Sequence, residues 1–550
     1  MKQNNGFTMK NSQKIAGSVC NQLADICIQL NGENDTHLLM EKILLAVLDV
    51  ANADAGTIYL VKEGKRLQFE TVINKTLNMH LGGSSGNPVN FASIPLFIDG
   101  EPNTTAVVAN AANSGNVINI TDVYDSLPFD LSAARKMDKE TGYRTQSMLT
   151  LPLKDHVNEI VGVIQLINAQ EGDDIIAFTK EVEHYCLSFA SLGAIALTNK
   201  SLIDNLEDLF TALIRTLARI IDEKSPHTGE HCKRVPELTL MFAQAVHEAK
   251  KGPFSSFSIS ESEMYQLEIA GWLHDCGKVA TPDHVMEKST KLHTIFDRIE
   301  YVLAKLEIAS RDIDLKYQEE IIKALKKNKP IDVQQIERER LVAHKQLNLD
   351  RAFLQKVNIG GEFLNDYQDE QIVEIAKRYN ISVNGQKTPL LTDDEVMNLR
   401  IKRGTLNAEE RLIIQRHMDV TLDILEALPF PKHMRNVAEY ALGHHETMDG
   451  KGYPRGLTKE QLSIPARIMA VADIFEALSS SDRPYKKAKP VSECLKIMGN
   501  MAKNNNIDSD LFDVFVNSKV YEEYIRKFSK LEQIDDFDLD DIPGLNRLDL

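Results

Sequence analysis

The sequence predicts a multidomain protein: an α+β domain, then a long helix, then a helix-rich region that carries most of the histidines. Three observations point there. The chain has 550 residues, too many for one core at roughly 100–200 residues per domain. Its apolar pattern changes from helical to alternating spacing after Asn52 and returns to helical from Glu181. Eleven of the 15 histidines fall between His227 and His445, a bias that a metal or acid–base centre would produce.

Composition narrows the classes. With 43% hydrophobic and 26% charged residues, wholesale disorder and collagen-like repeats are excluded. The 63 Lys and Arg against 80 Asp and Glu leave a net charge of −17. That balance argues against a nucleic-acid polymer as partner, which needs clustered cations. It does not forbid a small anionic substrate, because bound metal ions reverse the local field. No run of about 18 apolar residues stands out, so no membrane span is expected. MKQNNGFTMKNSQKIAGSVC lacks the apolar stretch of a signal peptide. Cys20, Cys27, Cys186, Cys232, Cys276 and Cys494 follow neither a disulfide framework nor a zinc-ribbon spacing. The expectation is a cytoplasmic protein with reduced, buried thiols.

In chain order, residues 1–19 are polar and expected to fray. Between Val19 and Asn52, Leu23, Ile26 and Leu30, then Met40, Leu44, Val47 and Leu48, recur near helical spacing, with NGEND as a break. AGTIYLVKEGKRLQFETVI reads as two strands joined at EGK. NVINITDVY and SMLTLPLKDHVNEIVGVIQLINA continue the strands, which gives an antiparallel sheet flanked by helices over 20–195. This succession, with the TGYRTQSMLTLPL segment, resembles a GAF domain. The resemblance implies a small-ligand sensor with a pocket on one face of the sheet. The ligand itself is unknown, since no residue here would fix a cyclic nucleotide or a chromophore. Cys186 lies in a helical stretch rather than a lid loop, which argues against a linked bilin.

Over 196–224, Leu202, Leu206, Leu209, Leu213, Leu217 and Ile220 repeat every three or four residues. Asp204, Asn205, Glu207 and Asp208 line the other side. Such a stripe predicts a coiled-coil-like signalling helix and a homodimer.

The chemistry lies in 225–510. His227 and His231 in HTGEH stand at i and i+4, a spacing that puts both on one helical face. In AGWLHDCGKVATPDH an apolar helix ends in His274-Asp275, followed by Gly277 and Lys278. A helix break redirects successive side chains, so both can reach one metal. His417 sits in an amphipathic helix, and His444-His445 stand before a turn containing Gly452, Tyr453 and Pro454. Asp473 lies on an otherwise apolar helix, where an isolated carboxylate is costly unless paired or metal-bound. Arg483 and Lys486 in DRPYKKA offer cations suited to phosphate.

The order HTGEH, HDxGK, single His, HH, GYP, Ala-Asp, DRPYK resembles the HD-GYP branch of the HD phosphohydrolases. That resemblance implies an all-α HD-type phosphohydrolase domain with two or three divalent metal ions, hydrolysing cyclic di-GMP. It makes Asp275 a bridging ligand beside His274, with His231 and Asp473 on one side of the cluster and His417, His444 and His445 on the other. Lys278 would lie beside the scissile phosphate, with Gly452, Tyr453, Pro454, Arg483 and Lys486 binding substrate. His227 stands where three-metal relatives usually carry Glu; imidazole can serve instead, so two or three ions stay open. Two divalent ions about 3.5–4 Å apart can share a hydroxide for in-line attack on phosphorus. A His and Asp ligand set without thiolate suits iron or manganese.

His274 and His417 are separated by 142 residues, more than the resemblance leads one to expect. The excess, about 292–400, is charged and helical and reads as a solvated hairpin with a small cap. Residues 511–550 read as a C-terminal helix and a loosely ordered acidic tail. The expected function is a GAF-regulated phosphodiesterase taking cyclic di-GMP to pGpG and on to GMP. The alternatives are another cyclic dinucleotide such as 3′,3′-cGAMP, or a non-catalytic binding module.

Overall fold

The computed structural model describes residues 35–125, 128–224, 230–328, 330–361, 363–480 and 489–548. The chain divides into two compact units, Met1–Phe210 and Thr211–Leu550.

In the first unit, helix α1 (Thr36–Ala51) starts where the Asp35 carboxylate accepts the backbone N–H of His37 and Leu38, an N-cap that satisfies otherwise orphaned donors. Strands β1 (Ala53–Lys62) and β2 (Arg66–Asn74) form the hairpin expected around Glu63-Gly64-Lys65. They are followed by β3 (Met79–Leu81), helix α2 (Val107–Ser114), β4 (Ile118–Ile120), β5 (Met148–Lys154) and β6 (Ile160–Glu171). The sheet runs β3-β2-β1-β6-β5-β4 with antiparallel neighbours. Period-two alternation splits its side chains between two cores. Ile58, Leu149, Leu151, Ile164 and Leu166 join Leu44, Val47 and Leu48 of α1. Tyr59, Leu67 and Val163 join Val108 and Ala112 of α2. The same unit holds a cavity of about 750 Å³ whose lining includes Tyr59, Phe69, Phe91, Met148, Gln165 and Ile167.

Helix α3 (Lys180–Lys224) is continuous over 45 residues. Over Lys180–Ile221 it is long and apolar enough to cross a membrane by length and composition, where the sequence reading expected no such segment. Its apolar residues serve two surfaces in succession. Cys186, Phe189, Ala190, Ala194 and Leu197 are buried in the sheet–helix core. Beyond them Leu202, Leu206, Leu209, Leu213 and Ile220 are 47–66% exposed.

In the second unit the other side of α3 is anchored. Ile214 and Ala218 are buried, the Thr211 and Tyr265 hydroxyls are hydrogen-bonded, and Arg215 pairs with Glu268 at 2.7 Å. Helices α4 (His231–Glu248) and α5 (Glu261–Leu273) follow. The inserted stretch contains α6 (Ile299–Lys326), α7 (Val333–Asn358), α8 (Asp366–Arg378), a two-stranded ribbon β7 (Asn380–Val383) and β8 (Gln386–Pro389), and α9 (Asp393–Leu399). It is more than a solvated hairpin. Leu306, Leu347, Leu354, Ile372, Ile375, Ile381, Leu390 and Leu399 form a core of their own, because α8, the ribbon and α9 cover one end of the α6–α7 pair. The chain returns through α10 (Ala408–Gln415), α11 (His417–Ala427), α12 (Val437–Leu442) and α13 (Ile464–Ser479).

The acidic tail also departs from expectation. Ile542 is 4% exposed, the backbone N–H of Ser492 donates to Asp535, and both the backbone and the side-chain amide of Asn546 donate to Asp513. Its carboxylates find specific donors, and sparse apolar residues find the domain surface.

Candidate metal centre

Helix α5 begins at a Ser260–Glu263 capping box and ends at His274. Asp275 leaves helical geometry at φ −107°, and a tight 3-10 turn covers Cys276–Ala280. That break sends two adjacent side chains to one point, with His274 Nε2 lying 3.3 Å from Asp275 Oδ2. Gly277 makes the turn pack against α11. A Cβ there would fall 1.9 Å from the His417 carbonyl oxygen, and the Gly277 N–H donates to the Thr421 hydroxyl at 3.0 Å. This contact brings His417 to the cluster, its Nε2 3.3 Å from Asp275 Oδ1.

The remaining groups come from α4, the segment after α12, and α13. His231 Nε2 is 3.4 Å from both Asp275 Oδ2 and Asp473 Oδ1, and Asp473 Oδ1 is 3.8 Å from His274 Nε2. His274 and His444 rings approach to 4.8 Å between centroids, and His417 and His445 to 5.3 Å. Two ligand groups result, Asp275 with His417, His444 and His445, and Asp275 with His231 and His274. Asp275 belongs to both. Lys278 is hydrogen-bonded to the Asp275 carboxylate, with its side chain 28% exposed. Tyr453 stacks on His445 at 4.7 Å. A Cβ on Gly452 would lie 2.4 Å from Glu446 Cα, so only glycine lets that loop close on His445. His227, Arg483 and Lys486 lie outside the described residues.

Several partners are invisible to motif reading. Glu476, three residues beyond Asp473 on α13, accepts from His231 Nδ1 at 2.6 Å and from Arg234 Nε at 2.7 Å. Its i+3 spacing from Asp473, on an apolar helix, was the available signal. Glu446 accepts the backbone N–H of Arg455 and Leu457 at 2.7 and 2.9 Å, which pins the Gly452-Tyr453-Pro454 loop; nothing in the sequence marks that role.

The cluster fits a divalent metal on its own geometry. His274, His417 and His444 each donate Nδ1–H to the carbonyl three residues earlier, Gly271, Ile414 and Ala441. That places one proton on each Nδ1 and leaves each Nε2 as the atom that offers a lone pair to a metal once it is unprotonated. Among the described residues those three Nε2 atoms and Asp275 Oδ1 are buried without a hydrogen-bond partner, a costly arrangement unless a cation is shared among them.

The charges agree. Burial, then the nearby His445 and His274, push His444 well below the usual imidazole range against the opposing pull of Asp473 and Asp275, and burial pushes His445 down to about 4. Burial opposes charge on His231 and His274 too, but Glu476 and Asp275 raise the first to about 9, and Asp275 and Asp473 raise the second to about 10. Burial would raise Asp275, yet Lys278 and His274 hold it well below the usual carboxylate range. At pH 7 His231 and His274 therefore each carry a proton where a cation can sit. Manganese uptake is expected to release about two protons per chain, and affinity is expected to fall as pH drops and protons compete harder. Titration calorimetry in buffers of differing ionisation enthalpy measures this; a binding enthalpy independent of buffer would contradict it. Glu476→Gln removes the anion behind His231 and is expected to weaken manganese binding about 10–100-fold, read from metal titration of the folded variant.

Residues 35–197 match the family model described as GAF domain, and residues 392–511 match the one described as HD domain. The HD match holds His417, His444, His445 and Asp473, while His231, His274, Asp275 and Lys278 precede the insertion. Three curated proteins are similar to part of the chain. The 3′3′-cGAMP-specific phosphodiesterase 1 of Vibrio cholerae is 36% identical over 159 residues, 27% of this chain and 35% of that protein. The 3′3′-cGAMP-specific phosphodiesterase 3 of the same organism is 43% identical over 98 residues, 18% of this chain and 20% of that protein. The cyclic di-GMP phosphodiesterase of Thermotoga maritima is 43% identical over 96 residues, 18% of this chain and 26% of that protein. The chain spans 35% or less of the length of each of these relatives.

Proposed function

Because this chain joins an N-terminal GAF domain to a C-terminal HD domain, we propose that it is a metal-dependent phosphodiesterase of cyclic dinucleotides. It takes cyclic di-GMP to linear pGpG, and to GMP where both phosphodiesters are cut. The observation that carries this reading is the convergence of buried, unpartnered imidazole nitrogens on Asp275, in a domain whose relatives are named for cyclic dinucleotide hydrolysis.

In this reading divalent ions, iron or manganese, would be held by Asp275 together with His231, His274 and Asp473 and with His417, His444 and His445. Such ions supply Lewis acidity toward a phosphoryl oxygen and acidify water. The chain's own residues do the rest. Lys278, with part of its side chain in solvent, offsets charge on the phosphate oxygens. Tyr453, braced on His445, bounds the substrate on the side of the Gly452-Tyr453-Pro454 loop. Both Glu476 oxygens are engaged, one by His231 and one by Arg234, so an arginine cation already neutralises the carboxylate behind His231. That favours two ions over three.

The GAF cavity is the regulatory ligand site in this reading. Among its lining residues Lys136 is the one basic side chain, against Asp130, Asp138 and Glu140, so an apolar, uncharged ligand suits it better than a phosphate. The bare leucine stripe of α3 is the homodimer contact, which also spends its apolar surface without a membrane. Buried thiols at Cys186, Cys232, Cys276 and Cys494 suit the cytoplasm.

The test offers cyclic di-GMP and 3′,3′-cGAMP at equal concentration to manganese-loaded protein and follows the linear products by chromatography. Faster loss of cyclic di-GMP is expected. Faster loss of 3′,3′-cGAMP moves the substrate to the class named for the Vibrio cholerae relatives, and no linear product from either overturns the phosphodiesterase reading.

A further inference from the structure

Helix α5 ends at His274-Asp275, so whatever sets its position sets two groups of the metal centre. Three helices hold its sides. A Cβ on Gly271 would lie 3.0 Å from Pro236 Cα, a close approach to α4, which begins at His231. Gln266 Oε1 accepts the backbone N–H of Asn436 at 3.1 Å, at the start of α12, whose end leads into His444. Both of those neighbours bring ligands of their own.

The third contact is of another kind. Tyr265, Glu268 and Trp272 stand at i, i+3 and i+7 on one face of α5, and they meet α3, which carries no ligand. The Tyr265 and Thr211 hydroxyls are 2.7 Å apart. Arg215 Nη2 donates to Glu268 Oε1 at 2.7 Å, and its guanidinium lies 5.6 Å from the centre of the Trp272 ring. The Trp272 indole N–H donates to the same Glu268 oxygen at 3.4 Å. Thr211 and Arg215 are about one helical turn apart, as are Glu268 and Trp272. The contacts therefore run along both helices and stop two residues before His274. The Arg215 and Glu268 side chains are 53% and 22% exposed, and an ion pair so open to solvent adds little to stability. Its effect is geometric, on where the ligand-bearing end of α5 lies.

We propose that this contact is the regulatory coupling of the metal centre: α3 seated on α5 holds His274 and Asp275 in their metal-binding positions, and release of Arg215 from Glu268 loosens them. Helix α3 is continuous from the sheet–helix core to Arg215, so a change in how its first turns are held reaches α5 there. Coupling is reciprocal, so metal bound at His274 and Asp275 also tightens α3 on α5. The proposal rests on the metal centre described above and not on the identity of the substrate.

The test follows backbone amide exchange in the full chain, metal-free and manganese-loaded, with no cyclic dinucleotide present. Its outcome is thus independent of the phosphodiesterase reading. Manganese is expected to slow exchange over 208–221 by about fivefold, beyond any slowing over 333–346 of the insertion. Arg215→Met and Glu268→Gln each remove one side of the pair. Both are expected to abolish that excess and to weaken manganese binding about fivefold, and the second reads the contact even if the first fails to fold. Arg215→Lys keeps a cation for Glu268 and should retain most of both effects. No excess slowing in the parent chain, parent-level slowing and affinity in either folded variant, or equal loss in Arg215→Lys would overturn the proposal. Failure to bind manganese at all would overturn it together with the metal centre, whereas binding without slowing overturns the coupling alone.

Discussion

Asp275→Asn is expected to leave the protein without its full metal complement and to cut cyclic dinucleotide turnover by about a thousandfold or more. The side chain keeps its shape and loses its charge and one acceptor oxygen. Asp275 is the residue common to both ligand groups, so the substitution damages both at once, where loss of His417 or His231 would damage one. Oδ1 is buried, 3.3 Å from His417 Nε2 and with no hydrogen-bond partner among the described residues, and Oδ2 faces His231, His274 and Lys278. Without the carboxylate those three groups confront one another with Asp473, beside the two histidines, as the remaining anion. Elemental analysis beside product chromatography checks the result. Parent-level metal and turnover in the variant would remove Asp275 from the centre.

The second large effect is expected from a residue that touches no ligand. In Gly277→Ala the new Cβ would sit 1.9 Å from the His417 carbonyl oxygen, 2.6 Å from the Thr421 nitrogen and 2.7 Å from the Thr421 hydroxyl. Two of these atoms are backbone, so no side chain can turn aside. Either the 3-10 turn moves and carries Asp275 with it, or the start of α11 moves and carries His417. Overpacking of this kind costs about 3 kcal/mol, and a displacement of about 1 Å between cooperating groups costs about a hundredfold in rate. Denaturant midpoint and turnover, measured together, are both expected to fall. Gly361→Ala, where the added carbon meets nothing, is the control and should leave the midpoint within about 0.5 kcal/mol of the parent.

Much of this arrangement was legible in the residues. The change from period 3.6 to period 2 located the sheet, because a half-buried strand and an amphipathic helix space their apolar residues differently. His274-Asp275 could be read because a helix end aims neighbours at one point, and Asp473 because a carboxylate on an apolar helix needs a partner. Glu476 and Arg234 were not legible: their meaning comes from His231, 245 residues from Glu476 in sequence, and from each other. Glu446 looks like any acid after a histidine pair until the loop folds back onto it. The insertion's helices showed in its pattern, but its core did not. Leu306, Leu354, Ile375 and Leu390 become interior only when four short elements cover them. The tail misled for the reverse reason, since composition counts carboxylates without knowing that Ser492 donates to Asp535 and that Asp513 accepts from Asn546.

The central claim is that the His and Asp cluster around Asp275 is a binuclear centre that opens cyclic dinucleotides. The most direct test is anaerobic add-back: protein stripped by chelator, reconstituted with graded manganese or iron, and incubated with cyclic di-GMP while metal content is measured. The account predicts no linear product from the stripped protein and product that rises as occupancy approaches about two ions per chain. Linear product from metal-free protein, or none from protein holding both ions, would contradict it.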